Sequence, residues 1–223
     1  MNFSLVSQYS GFLLRGAGLT IVMALGSIIL GCLLGTVLGL MRVSSSKPLS
    51  LFSGAYLQIF RGTPMLLQIM FIFFAIPQIY NMMTGSFFNW KPEIAGIIAL
   101  GMNSGAYIAE IIRAGIQGVD IGQTEASRAL GLTQHQTMQL VILPQALRRV
   151  IPPLCNEFIV LLKDTSLISS IGAKELMYRS RSMGVTTYDF VSFLAGAAIV
   201  YFCLTFILTQ ASSWVERRLA VSD

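Results

Sequence analysis

Residues 17 to 41, AGLTIVMALGSIILGCLLGTVLGLM, run for 25 positions without a charge. At about 1.5 Å per residue a helix of that length crosses a hydrocarbon layer of about 30 Å, so a membrane span is expected here. A cleaved signal peptide is the competing reading. Only Arg15 precedes the run, the run is too long for a signal's apolar core, and no clean small-residue cleavage site follows; the segment is expected to be retained. Gly31, Gly35 and Gly39 repeat every fourth residue and make a small-residue stripe that allows close backbone approach. Packing inside the fold is its expected use, ahead of dimerisation.

The rest of the chain agrees with this start. Hydrophobic residues make up 54% of the sequence and charged residues 11%, against about 25% charged in a typical soluble domain. The net charge of +5 is scattered between apolar runs and forms no dense basic tract, so it reads as a topology signal and not as a nucleic-acid surface. Cys32, Cys155 and Cys203 all fall in apolar segments without metal-like spacing. Four further spans are expected at about 63–80, 94–112, 150–171 and 190–213, giving an all-α integral membrane protein with five transmembrane helices in a single domain, 1–223.

The second span opens at RGTP, where Thr63 is expected to cap and Pro64 to take the first helical position. The amphipathic piece 49–60 is expected to extend that helix toward the membrane surface. Five spans place the termini on opposite sides. With the N-terminus outside, Arg42, Lys47, Arg113, Arg128, Arg148, Arg149, Arg217 and Arg218 are inside. Arg15, Lys91, Lys174, Arg179 and Arg181 are then outside, and the excess within favours this orientation. Trp214 stands where an interfacial anchor belongs.

On that orientation residues 113–149 form a cytoplasmic loop, and its polar middle, EASRALGLTQHQTMQLVILP (Glu125 to Pro144), is unusual in so apolar a chain. Asp120 with Gln123 and Thr133 with Gln136 have capping-box spacing, so short helices are expected to begin near Ile121 and Gln134. Gly131 suits the left-handed turn between them, and Pro144 is expected to discourage the second helix from running straight into the next span. Ala126, Ser127 and Ala129 are small enough for another protein to approach closely, and Glu125 offers a charge. A docking element and a merely solvated loop both fit these residues.

Glu125-Ala126-Ser127, then Gly131, then Val141-Ile142-Leu143-Pro144 resembles the EAA loop of binding-protein-dependent ABC importer permeases. Ser127 stands in place of the usual second alanine and Val141 in place of isoleucine. RGTPMLLQIMFIFFAIPQ, MNSGAYIAEIIRAGI, ALRRVIPPLCNEFIVLLKDTSL and ERRL extend the resemblance over nearly the whole chain, toward the permeases for histidine, arginine, glutamine and glutamate, with the glutamine permeases closest in look. The resemblance implies a type I ABC importer permease fold in the cell inner membrane. It implies that Glu125, Ala126, Ser127 and Gly131 couple to a cytoplasmic ATPase. The implied partners are two ATPase subunits carrying ATP and Mg, a second permease (identical or paralogous), and a periplasmic or surface-tethered amino-acid-binding protein facing residues 172–189. No Gly-Lys dipeptide occurs, so the nucleotide-cradling loop G-x-x-x-x-G-K-[ST] is missing. No cofactor or metal is expected in the chain itself, nor is catalysis: the lone His135 reads as a surface histidine, and no nucleophile motif surrounds a serine or cysteine.

A solute route is sought where polar groups stand in expensive surroundings. Asn103, Tyr107 and Glu110 share one helix face in the third span. In the fourth, Asn156 with Lys163, and Glu157 with Asp164, are each seven apart and form adjacent stripes. These groups suit both ends of an amino acid. Internal pairing, such as Glu110 with Lys163 or with an arginine of a neighbouring helix, is the structural alternative and the expected one for Glu157; for Glu110, Asn103 and Asp164 both readings stand. Arg61 is read as a structural arginine at the cytoplasmic edge. An ion-coupled secondary transporter would also carry intramembrane carboxylates, but paired structural repeats are not evident here.

Overall fold

The computed structural model describes residues 3–220, all of whose regular elements are helical. In chain order these are α1 (Phe3–Gln8), α2 (Ser10–Val43), α3 (Lys47–Gly62), α4 (Met65–Met70), α5 (Ile76–Thr84), α6 (Pro92–Gln117), α7 (Ile121–Ala129), α8 (Gln134–Thr137), α9 (Leu143–Asp164), α10 (Leu176–Thr187) and α11 (Phe190–Ala220). A π-helical turn, Phe71–Ala75, joins α4 to α5; another, Met138–Ile142, joins α8 to α9; and a 3-10 stretch, Thr165–Ile171, continues α9.

The α2–α6 pair is the spine of the molecule, and the glycine stripe is its seam. A Cβ placed on Gly35 would lie 2.6 Å from Cβ of Ile108 and 2.9 Å from the carbonyl oxygen of Gly105. One placed on Gly31 would meet Ser104 at 3.0 Å, and α6 answers with Gly101, whose Cβ would stand 2.7 Å from Leu30. Small residues on both helices let the backbones meet, which is how apolar helices associate where burial from water supplies no drive. The stripe is therefore internal packing, as expected. Beside this seam Met23, Ile69, Ala99, Leu100 and Ile168 close a core contributed by α2, α4, α6 and the 3-10 stretch.

Four helical segments are long and apolar enough to cross a membrane: Ser10–Val43, Met65–Thr84, Pro92–Gln117 and Phe190–Leu219. They enclose the expected spans 17–41, 63–80, 94–112 and 190–213 within a few residues, 63–80 beginning two positions late. The expected span 150–171 is different. It is helical and packs against α6, α11 and α2, but it begins earlier, ends in a 3-10 turn, and carries Arg148, Arg149, Glu157, Lys163 and Asp164. Its polar groups keep it out of the apolar class, so the count of five rests on counting α9 as a helix of the bundle.

Four local expectations are corrected. The piece 49–60 does not extend the second span: α3 ends at Gly62, Thr63 and Pro64 are extended, and α4 starts afresh at Met65. Thr63 does not cap α4, because its hydroxyl donates back to the carbonyl oxygen of Ile59 at 2.8 Å. Pro64, expected at the first helical position, stands one place earlier. Pro144 does not stop the hairpin's second helix, which runs on into α9 through the π turn. A proline has no N–H to donate and its ring crowds the carbonyl four residues back; for Pro144 that carbonyl is Leu140, inside the wider π turn. Pro77 repeats the device, with Phe73 inside the turn Phe71–Ala75.

Candidate functional site

The α7–α8 hairpin projects from the ends of α6 and α9. Both expected starts are observed. Asp120 precedes α7 and accepts from the backbone N–H of Gly122 at 2.6 Å. Gln123 does not complete a capping box there, because its side-chain oxygen instead accepts from Gln145 at 3.2 Å. Thr133 and Gln136 form the full reciprocal box before α8. Between the helices Gly131 has φ +85°, the left-handed conformation that a side chain would strain, and Arg128 donates to the carbonyl of Leu132 at 2.7 Å, closing the turn.

Within this hairpin the four expected coupling residues divide. Glu125, Ala126 and Gly131 are exposed, together with Ala129 and the apolar tips Ile121 and Leu130. Ser127 is buried, donates to the carbonyl of Thr124 at 2.9 Å, and lies 3.1 Å from the hydroxyl of Thr137. It latches α7 onto α8 and does not meet an outside surface. Below it Val119, Ile142 and Ala146 form a small core with Ile116 and Val141, so the exposed face rides on a packed base. His135 is exposed, as its surface reading requires.

The polar groups of the third span do share one side of α6, but they are occupied differently. The Asn103 amide donates to the carbonyl of Phe60 at 3.0 Å and to the side-chain oxygen of Gln68 at 2.9 Å. Gln68, 8% exposed, turns its own amide toward the carbonyls of Phe60 and Thr63 and the Thr63 hydroxyl. These two amides satisfy the backbone that the α3–α4 break sets free. Tyr56 adds a hydrogen bond to the Met102 carbonyl at 2.9 Å. Gln68 was missed in the sequence, although a lone amide early in the apolar run 63–80 was the available signal.

Farther along α6, Tyr107 lies under the guanidinium of Arg61 at 5.4 Å. Glu110 pairs with Arg113 of its own helix, and Arg113 also donates to Gln117. The expected partners, Lys163 or an arginine of another helix, are displaced by this neighbour three residues on, which needs no tertiary contact to meet it. Tyr107, Glu110, Arg42, Arg61 and Arg113 line one open hollow of about 810 Å³. The α9 residues Asn156, Lys163 and Asp164 do not line it. Asn156 and Lys163 are exposed on the single chain, and Asp164 is half-buried beside Lys163.

At the opposite end of the bundle, residues 172–189 are mostly helix. Glu175, fully buried, caps α10 by accepting from the backbone of Met177 at 2.8 Å and of Tyr178 at 2.7 Å, and it also receives the Tyr201 hydroxyl at 2.8 Å. Thr20 of α2 donates to it at 3.4 Å and accepts from the N–H of Leu176 at 3.3 Å. Burial pushes the Glu175 carboxyl above the ordinary carboxylate range, with those hydrogen bonds pulling the other way.

A bundle of membrane-length helices sealed by a glycine seam, with a packed polar hairpin at one end, defines a membrane-embedded helical protein. Residues 27–221 match the family described as binding-protein-dependent transport system inner membrane component, and the chain belongs to that family. It is a transport subunit, not an enzyme, and the ATPase of such systems is a separate subunit. It is 37% identical to the arginine transport system permease protein ArtQ of Bacillus subtilis, covering 100% of this chain and 99% of that one. With the putative glutamine transport system permease protein GlnP of Rickettsia bellii identity is 36%, over 95% and 94% of the two chains. With the L-cystine transport system permease protein TcyB of Bacillus subtilis it is 39%, over 90% and 83%. A solved structure described as an amino acid ABC transporter with histidines superposes with TM-score 0.90 at 37% identity, covering 98% of this chain and 99% of the other. The MetNI methionine ABC transporter, at 21% identity and TM-score 0.74 over 95% and 98% of the chains, shares the fold. Membership of this family sets aside the ion-coupled reading.

Proposed function

We propose that this chain is the permease subunit of an ATP-driven importer of polar amino acids, coupled to its ATPase through Glu125 to Pro144. The observation that carries this reading is the hairpin itself: Glu125, Ala126 and Ala129 are exposed on a helix held from behind by Ser127 and Thr137. A merely solvated loop has no need of that latch or of the Val119–Ile142–Ala146 base. The names of the relatives above, for arginine, glutamine and cystine, support an amino-acid solute. Glutamine is our preferred substrate, with histidine, arginine, lysine and glutamate as the alternatives.

Two ATPase subunits, each binding ATP and Mg, would take the hairpins of two permeases, identical or paralogous. An amino-acid-binding protein would dock at the opposite end, around α10. The N-terminus would then face outward and the C-terminus the cytoplasm. Asn103, Tyr107 and Glu110 on α6 and Asn156, Lys163 and Asp164 on α9 are proposed to border the solute's route. Asn156 and Lys163, exposed on the single chain, are the groups freest to meet a zwitterion, whereas Asn103 and Glu110 already hold protein partners.

The reading is tested with the chain co-purified with its ATPase and binding protein and reconstituted in vesicles. ATP hydrolysis should rise when binding protein loaded with a polar amino acid is added. Hydrolysis indifferent to every polar amino acid offered would refute the importer assignment.

A further inference from the structure

We infer that the exposed side of α10, together with Tyr188 just beyond it, docks an acidic surface of the amino-acid-binding protein. The inference rests on the importer reading above and adds the chemistry of that contact. Tyr188 is the residue that points to a partner. It is 95% exposed, and its φ of +55° holds a bulky residue in the left-handed conformation that disfavours one. A ring so exposed gains nothing from its own chain, so nothing inside the fold offsets that strain. Tyrosine is, however, among the side chains that anchor protein interfaces. Thr186 and Phe190, two residues to either side of it, line a hollow of about 350 Å³ together with Ser169, Arg181 and Ser182.

The charges at this end of the bundle set the sign of the partner. Arg15, Lys91, Lys174, Arg179 and Arg181 stand here against Glu93, Glu175 and Asp189. Glu175 is buried and caps α10, while Asp189 accepts from the backbone N–H of Ser192 at 3.0 Å. Arg179 is kept by its own chain, over the Phe12 ring and on the Lys174 carbonyl at 2.8 Å. Lys174 and Arg181 are exposed, and among the described residues no carboxylate comes within ion-pair distance of either. An acidic partner surface complements them, and complementary charge also steers encounter.

The make-up of α10 favours a protein over lipid headgroups. A helix lying in a bilayer surface carries a continuous apolar face. The side that α10 leaves bare instead mixes Arg181, Val185 and Thr186, and its buried positions are Leu176, Ser180 and Gly184. A hollow edged by hydroxyl groups, with a cation and a projecting ring beside it, matches a protein surface of alternating polar and apolar groups.

The test uses the full-length chain with its ATPase in vesicles, titrated with loaded binding protein, and reads the concentration that half-saturates stimulated ATP hydrolysis. Arg181→Glu should raise that concentration roughly tenfold, and Arg181→Lys should keep it near the native value. Tyr188→Gly relieves the left-handed strain and should still raise it roughly tenfold. In each variant the rate at saturating binding protein should match the native rate, because docking alone is weakened. Added salt should weaken docking in the native chain and much less in Arg181→Glu. Half-saturation unchanged in both Arg181→Glu and Tyr188→Gly would overturn the inference while the stimulation itself upholds the importer reading; no stimulation of the native assembly would overturn both. A shift seen in vesicles containing phosphatidylglycerol but not in pure phosphatidylcholine would assign this face to headgroups and overturn the inference as well.

Discussion

The Asn103 amide donates to the side-chain oxygen of Gln68 at 2.9 Å, joining the middle of α6 to the first turn of α4. Both amides also reach the Phe60 carbonyl. The break between α3 and α4 is therefore held by a small amide network inside an apolar bundle, and a buried polar group left without its partner costs about 1–3 kcal/mol.

Asn103→Ala should accordingly destabilise the purified subunit by about 1–3 kcal/mol, read as a lowered thermal midpoint in detergent. Asp164→Asn, at a half-buried position that feels the charges of Lys163 and Glu157, should leave the midpoint nearly unchanged and reduce uptake. If Asn103→Ala keeps the native midpoint while solute dependence alone changes, the amide serves the solute and not the break.

Glu175 gives a dependence on pH. Its carboxyl is held above the ordinary range by burial, so the folded chain binds that proton more tightly than the unfolded chain does. Its contribution to stability is full at acid pH, below the unfolded pKa, and is lost as pH rises through the raised folded pKa. Glu175→Gln cannot ionise but keeps only one of the two oxygens that accept from the α10 backbone, so the variant is less stable throughout and the comparison is between the slopes of the two pH curves. Between about pH 4 and pH 8 the native subunit should lose more thermal stability than the variant; parallel curves would show that the carboxyl is not perturbed in the folded chain.

The proposed orientation follows from two accessible positions. Gln134 opens α8 and Thr186 lies near the end of α10, and both are exposed. Single cysteines there, in a chain lacking Cys32, Cys155 and Cys203, should label from opposite sides of the membrane, with Thr186 reached by an impermeant reagent in intact cells. Labelling of Gln134 in place of Thr186 would invert the orientation and place the hairpin on the wrong side for an ATPase.

What was legible in the sequence is what local chemistry decides. An uncharged run of 25 residues, a Thr-x-x-Gln box and a glycine at a left-handed turn each act within a few positions. What was missed depends on partners distant in sequence. The break at Thr63 is stable because Asn103, 35 residues beyond Gln68, reaches it, and α10 starts where it does because Thr20, 155 residues away, helps to satisfy Glu175. Pro144 misled for a different reason. Its missing N–H was a correct reason to expect a disturbance, but a π turn absorbs the disturbance without ending the helix. Ser127 misled through its size: it is small because it is enclosed, while the accessible small residues are Ala126 and Ala129.

The coupling role of the hairpin is tested most directly by blocking its outer face. Ala126 and Ala129 are both exposed on α7, and tryptophan at each would overfill a close-fitting cleft, a change that commonly costs about 1–3 kcal/mol. The Ala126→Trp, Ala129→Trp double variant, expressed with its ATPase, is assayed for co-purification and for hydrolysis stimulated by loaded binding protein. The expected result is a permease of native thermal midpoint that no longer retains its ATPase. Normal retention together with normal stimulated hydrolysis would contradict the docking of the ATPase on this face.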